Sequence, residues 1–546
     1  MQLHKKTTVA DERTKSGRFS RLTGQLLAGA MALGLALGVS SPVLADNDTV
    51  TVVMHSNLRV LDPITNTAHI TRDHGYMIYD VLVAQDSNLN PQPEMADWTV
   101  SEDGLVYVFT LRDGLLFHDN QPVKAKDAVA SLRRWGKRDG GGQLLFDATE
   151  TLEATDDRTI TWKLKKPFPS LLEIVSKQSS VPAFIMPERI ADTPADRPIT
   201  EYVGSGPFKF VASEFQPGVS VTYEKFDGYV PRSEKPDGLA GGKAVHVKRV
   251  KWLSMPDAQT AINSLLTGEI DYIETVKADL LPLLESNPDI VLEQRKGLVF
   301  QTLGRLNFKY PPFDNIDIRR AALKALNQTD IQVALMGDPK YYTTCGAVLG
   351  CGMPLADETG SESLTGKGDI EGAKELLKKA GYDGTPVVLL QPTDNLSAAP
   401  QPIVAAQALR NVGFNVDMQS MDWQTLVTRR ANMGKPAEGG WNMFITNFIL
   451  PEVGSPLVSP MLNGRGDKAW FGWPDDPKLE QLRAAFAEAK TAEDRKNIAK
   501  QVQIHTLDEV IYIPLGQFSE VQARSSKLIE MNASAVPVFW GIRKTD

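Results

Sequence analysis

The chain has 546 residues, 42% hydrophobic and 23% charged, which is enough apolar material for two or three domains with cores and too much for a disordered polymer. Its 42 glycines and 34 prolines are about 14% of the residues, so low-complexity and collagen-like architectures are excluded. Formal charge is −8, and the first 45 residues hold six bases against two acids; the remaining 53 bases and 65 acids leave −12, a balance that phosphate backbones repel, and no nucleic-acid partner is expected. At the amino terminus a basic stretch ending at Arg21 precedes an apolar run from Leu26 to Val39, then Ser40-Ser41-Pro42 and Val43-Leu44-Ala45. That order of basic, apolar and small residues is an export signal covering residues 1–45, cleaved after Ala45. The alternative is an uncleaved anchor, for which the run of 14 residues is short against the ~20 a bilayer requires. The first cysteine is Cys345, so a lipid-bearing cysteine at the cleavage point is excluded. The mature chain is expected in the periplasm.

Residues 50–54 read as a buried opening strand, followed by a loop at His55-Ser56-Asn57. The run 105–111 has the β-branched and aromatic content of a strand, with Arg112-Asp113-Gly114 as the turn after it. A strand pair is expected within 147–164 around Asp156-Asp157, and a helix over 127–135 from the spacing of Ala128, Val129, Leu132 and Trp135. Pro256-Asp257-Ala258 opens a helix, with Pro at an early helical position, and Gly268 closes it. Further on, helices are expected at 317–327, 370–380, 402–412 and 424–431, with strands at 387–390 and 414–418 between them. Such alternation predicts βαβ units and an α/β sheet covered on both faces. Helices at 478–489 and 492–507 and a strand at 511–515 complete the chain.

Catalytic chemistry is sparse. Seven histidines are present, and His69 and His74 stand five apart, the wrong spacing for two metal ligands on one helical face; both read as structural. Gly204-Ser205-Gly206 lacks the spacing of a nucleophile elbow and reads as a loop entering a strand at 208–210. Gly140-Gly141-Gly142 and Gly366-Lys367-Gly368 lack a phosphate-loop pattern and read as surface turns. No catalytic residue, metal ligand or cofactor is assigned. Cys345 and Cys351, the only cysteines, are six apart among glycines. In an oxidising compartment this favours one local disulfide over a redox pair or a zinc site.

From Met95 onward the sequence runs Ala96-x-Trp98-x-x-Ser101-x-Asp103-Gly104-x-x-Tyr107-x-Phe109-x-Leu111-Arg112-x-Gly114-x-x-Phe117-His118-Asp119, then Pro122-x-x-Ala125-x-Asp127 and Ser131. This resembles the signature of the family 5 extracellular solute-binding proteins, the dipeptide- and oligopeptide-binding components of bacterial ATP-binding-cassette (ABC) importers. Gly204-Ser205-Gly206-Pro207-Phe208, the Asp257 to Asp271 helix and turn, Pro311-Pro312-Phe313-Asp314 with Arg319-Arg320-Ala321, and Ala373 to Tyr382 resemble further blocks of that family, in order. The resemblance implies two α/β lobes joined by a double crossover: lobe I at 46–285 with an inserted subdomain near 76–200, lobe II at 286–509, and a return to lobe I at 510–546. A ligand would sit between the lobes and be enclosed by hinge closure.

In peptide-binding relatives an Asp three residues after a Gly-Trp at the end of a lobe II strand holds the substrate's amino group. Here that pair corresponds to Asn447-Phe448 and the Asp to Pro451, with Glu452 beside it. Candidate lining residues are Asn57 and Leu58 after the first strand, Trp423 after Asp422, and Trp441, Asn447, Phe448 and Glu452 around the lobe II strand end; Trp540 closes the carboxyl-terminal segment. Trp98 and Trp252 are assigned to the core. The implied protein is a non-enzymatic monomer that carries a peptide or another small organic solute to an ABC permease and its ATPase. A periplasmic hydrolase, or a sensor or chaperone built on the same fold, is the alternative.

Overall fold

The computed structural model describes residues 48–366 and 368–545; the expected export signal and Lys367 lie outside them. Two large sheets organise the chain. In the first, the strands follow the order Phe208–Phe210, Ser220–Lys225, Arg249–Leu253, Thr49–Val53, Tyr272–Val276, Val521–Ser525 and Ile290–Gln294. In the second the order is Tyr342–Thr343, Ile513–Phe518, Phe300–Leu306, Met443–Ile449, Val387–Pro392 and Val416–Met421. A separate antiparallel sheet of Ala96–Val100, Val106–Leu111, Thr159–Leu164 and Thr149–Ala154 carries much of the family-like signature.

The α/β class is as expected, but neither large sheet is wholly parallel. Thr49–Val53 runs parallel to Arg249–Leu253 and to Tyr272–Val276, and Val387–Pro392 runs parallel to both its neighbours. The flanking strands are antiparallel because they are hairpins or returns from the other sheet. Helices such as Ala258–Leu266 beside the first sheet and Gln328–Met336 and Gln401–Val412 beside the second bury their apolar faces on the strands.

The chain crosses between the large sheets twice, at residues 295–299 and 519–520. Two expected changeover points therefore move. Ile290–Gln294 pairs with Val521–Ser525 in the first sheet, although the second half is expected to open at 286, and Ile513–Phe518 pairs with Phe300–Leu306 in the second, although the return is expected to open at 510.

Local differences have local causes. The strand expected at 414–418 begins at Val416 because Gly413, at φ +111°, ends the preceding helix and Phe414 N–H still donates to Leu409 O. Likewise the last strand of the second sheet starts at Ile513, after Val510 at φ +52° and a bond from Ile511 N–H to Thr506 O. Pro256 precedes the helix rather than occupying its first turn, since Asp257 is the N-cap and accepts from Thr260 N at 2.7 Å. Gly140-Gly141-Gly142 is no surface turn: it opens the helix Gly140–Ala148, capped by Asp139, which accepts from Gly142 N at 2.8 Å. Cys345 and Cys351 form a disulfide, Cα atoms 5.9 Å apart.

Two of the family-like motifs lock together. His118 Nδ1 accepts from Gly204 N–H at 3.2 Å, and its Nε2–H donates to Gly206 O at 3.0 Å. Side chains are excluded at both glycines: a Cβ on Gly204 would lie 1.6 Å from Ile78 O, and one on Gly206 2.8 Å from the Ile78 carbonyl carbon. Burial, with Lys209 nearby, pushes the His118 imidazole down to about 4, because charging it would replace its one acceptor with a second N–H. The unfolded chain, near 6.5, takes the proton first, so this contribution is whole above about pH 6.5 and is lost as pH falls toward 4. Between pH 7 and 5 the wild type is expected to lose about 2 kcal/mol more stability than His118→Gln in urea unfolding. Equal losses would contradict the assignment.

Candidate functional site

Between the two large sheets lies a cavity of about 50 Å³ whose walls come from both of them and from both crossings. The first sheet contributes His55, just beyond its strand Thr49–Val53, and Glu274 from Tyr272–Val276. Glu274 Oε2 accepts from His55 N–H at 3.0 Å and lies 2.8 Å from His55 Nδ1, while Arg295, in the first crossing, approaches Glu274 Oε1 at 3.5 Å and donates to Tyr272 OH at 2.8 Å. Burial opposes charge on both His55 and Glu274, but each overcomes it in the other. The imidazole is held above its ordinary value, and the carboxyl is held well below its own with help from Arg295.

The helix His69–Ile78 supplies a second set. Arg72 donates twice to Asp73 Oδ1, at 2.9 and 2.7 Å, and once to Ser179 Oγ at 2.8 Å. His69 Nε2 sits 2.8 Å from Glu452 Oε2, joining the first half of the molecule to the second. Glu452 also accepts from Ser179 Oγ at 2.6 Å and from Ile449 N–H at 2.9 Å. Burial would raise its carboxyl, yet His69, Ser179 and Arg72 hold it below the ordinary value. His74, on the same helix, is a core residue as expected: Nδ1 lies 2.8 Å from Tyr223 OH and burial pushes the ring down to about 3.

The second half contributes Asn395 and Ser397, Thr446 to Ile449 at the end of Met443–Ile449, and Trp423 and Arg430 from the helix Trp423–Arg429 and its C-cap. Arg430 donates to Thr67 Oγ1 at 3.1 Å, Trp470 Nε1–H reaches the same oxygen at 3.3 Å, and Gln424 donates to Asn57 O at 2.9 Å. The halves are thus in contact along the cavity. An adjoining hollow of about 60 Å³ shares His55, Ser397 and Trp423 with it.

Of the residues singled out from sequence, Trp423, Asn447 and Phe448 line the cavity and Asn57 lines the adjoining hollow. Asn447 is already committed: its amide donates to Ser397 O at 2.6 Å and its oxygen accepts from Thr302 and Gln401. Three others belong elsewhere. Trp441 is fully buried behind Arg430, donating to Arg430 O at 3.1 Å and packing on Phe444 and Trp473; Leu58 is buried in the core beside the first sheet; and Glu452 is consumed by His69 and Ser179. Trp540 is core, with the Lys243 ammonium 5.2 Å from its ring. Trp252 is core as expected, and Trp98 packs half-buried against the core.

Sequence reasoning passed over the charged residues His55, His69, Arg72, Glu274, Arg295, Arg430 and Glu520. For Arg430 a signal existed: it follows Trp423, Leu426 and Val427 at helical spacing, a cation on an apolar face. His55, Asp73 and Glu274 each bring a ligand atom within 4.8 Å of the others, but Arg72 is bonded to Oδ1 of Asp73, and Arg295 and His55 face Glu274, so the cluster reads as an ion-pair network rather than a cation site.

The model of the bacterial extracellular solute-binding proteins, family 5 (middle region), matches residues 90–465. A probable peptide ABC transporter periplasmic-binding protein, y4tO of Sinorhizobium fredii, is 37% identical over 527 residues, covering 95% of this chain and 98% of its own. Among solved structures, the periplasmic binding protein DppA of Helicobacter pylori in complex with the peptide STSA superposes with a TM-score of 0.76 at 20% identity, covering 91% of this chain and 98% of its own. AgaA of A. tumefaciens R10, in complex with agropinic acid, gives 0.76 at 20%, covering 91% and 99%. The fold is the two-lobe α/β architecture of periplasmic binding proteins. The chain belongs to the bacterial extracellular solute-binding proteins, family 5, and is a periplasmic substrate-binding protein rather than an enzyme.

Glu452→Gln keeps the shape of the contact between the halves but removes the charge that His69 and Ser179 face. It is expected to lower stability by about 3 kcal/mol in urea or thermal unfolding. A change below about 0.5 kcal/mol, the range of ordinary surface substitutions, would contradict a stabilising role for that contact.

Proposed function

We propose that the protein captures a short peptide or a similarly small organic solute and delivers it, as a monomer, to an ABC permease and its ATPase. The observation that carries this reading is a cavity lined from both large sheets and from both crossings between them, through Arg295, Leu298 and Glu520. Lobe I comprises 48–294 and 521–545, with the inserted subdomain near 76–200, and lobe II comprises 300–518. The crossings at 295–299 and 519–520 form the hinge, so a few backbone rotations there open or close the cavity. Closure gives the permease a liganded shape to distinguish from the empty one. The y4tO relative is described as a probable peptide transporter component, whereas AgaA holds agropinic acid on the same fold, and both solute classes stay within the reading. The family-like position of the amino-holding Asp is Pro451 here, so a peptide would be held by other groups.

The test is mass spectrometry of the solute released on unfolding protein purified from the periplasm. A single recovered solute, re-added at 100 times its dissociation constant, is expected to stabilise the protein by about 2.7 kcal/mol; turnover of that solute would contradict the binding role. The export reading is checked by amino-terminal sequencing of the same preparation. The mature chain is expected to begin at Asp46, and an intact Met1 in the membrane fraction would contradict cleavage.

A further inference from the structure

Resting on the reading of this cavity as the solute site, we propose that the captured solute is a compact zwitterion, with a carboxylate-like group seated on Arg430 and an ammonium facing Glu520. The proposal follows from accounting for each buried charge around the cavity. Glu274 is matched by His55 and Arg295, Asp73 by Arg72, and Glu452 by His69. Glu274 faces two cations, and two groups on the cavity wall, of opposite sign, have no ion pair among the described residues.

Arg430 is 2% exposed and forms no ion pair among the described residues. Its guanidinium lies among the rings of Trp423, Phe444, Trp470 and Phe471, with centroids 5.8, 5.9, 5.6 and 5.1 Å away. Thr67 Oγ1 takes one N–H, and among the described residues Nε has no hydrogen-bond partner. Arg305 shows how this chain holds a buried guanidinium whose role is purely structural, since the carbonyls of Phe471, Met461, Ile511 and Trp470 all accept from it. Arg430 has no such set. Burial pushes it down only to about 9, so it stays charged at neutral pH. A guanidinium in an aromatic surround on the wall of a cavity, with donors that no protein carboxylate takes up, suits a planar anion.

Glu520 is the mirror case. It stands in the second crossing, 7% exposed, and among the described residues accepts only from hydroxyls, Thr275 Oγ1 at 2.7 Å and Ser397 Oγ. It forms no ion pair among the described residues, and burial pushes its carboxyl up. A neutral solute would leave both groups without an opposite charge, and a simple anion would set a second negative charge in the space that holds Glu520. A molecule with both poles completes both. The small size of the cavity and its adjoining hollow, about 50 and 60 Å³, selects a compact one.

The experiment measures binding to the purified mature protein, after release of bound solute, by calorimetry and thermal shift. The probes are a dipeptide library in free, carboxyl-amidated and N-acetylated forms, with neutral sugars alongside. Every binder is expected to be a free zwitterion, with amidation or acetylation each weakening binding at least 30-fold. Arg430→Gln is expected to lose at least 100-fold for the free form and nothing further for the amide, with Arg430→Lys recovering part. An amide, an acetylated form or a neutral sugar that binds as tightly as any free form would overturn the proposal while leaving the cavity as a solute site. The wild-type comparison decides this even if the variants fail to fold. If no probe binds, the solute released from the purified protein decides: both charged groups on it support the proposal, and a solute lacking either overturns it. No binding probe and no released solute would overturn the solute-site reading and the proposal together.

Discussion

A charge removed from water must find a partner, and the space between the two halves of this protein is organised by that requirement. His55, Glu274 and Arg295 form one closed set, Arg72 and Asp73 a second, and His69 with Glu452 a third that bridges the halves. Because these sets draw on a strand end, a helix and a crossing, their geometry depends on both sheets being in place. The wall around the solute is therefore mostly neutralised before anything binds. What stays unneutralised is confined to Arg430 and Glu520, one on the second half and one on the hinge.

That placement connects recognition to motion. Arg430 is the C-cap of the helix Trp423–Arg429, and Trp441, whose indole donates to the Arg430 carbonyl, holds it from behind. Glu520 sits where the chain returns to the first sheet. A solute that engages both ties the second half to the crossing at 519–520, so with the hinge proposed above its binding energy favours the closed state over the open one. The buried charges thus divide into those that build the wall and those that meet the guest.

Much of this architecture is legible in the sequence. The strand Val106–Leu111, the hairpin of Thr149–Ala154 and Thr159–Leu164, and the helices Ile370–Lys379 and Ala492–Asp508 lie close to where periodicity and turn residues put them. The boundaries that move, at 413–416 and 510–513, do so because left-handed residues close a helix and use up the first residues of the expected strand. Gly140-Gly141-Gly142 misleads because a glycine run signals a turn locally, whereas here Asp139 caps it and neighbouring backbone packs against it. The site is harder to read. Aromatic and amide residues near a strand end draw attention, and Trp423, Asn447 and Phe448 do line the cavity. The charged residues do not, because pairing across hundreds of positions, such as His69 with Glu452, leaves no local pattern. His118 carries a family motif whose purpose, pinning the Gly204 to Gly206 loop, emerges only in three dimensions.

The most direct measurement is a crystal structure of the protein with the solute it carries from the cell. The expected result is an anionic group of that solute within hydrogen-bond distance of the Arg430 guanidinium and a cationic group beside the Glu520 carboxylate. A solute lying in the cavity with both of those side chains facing only protein or water would contradict the account.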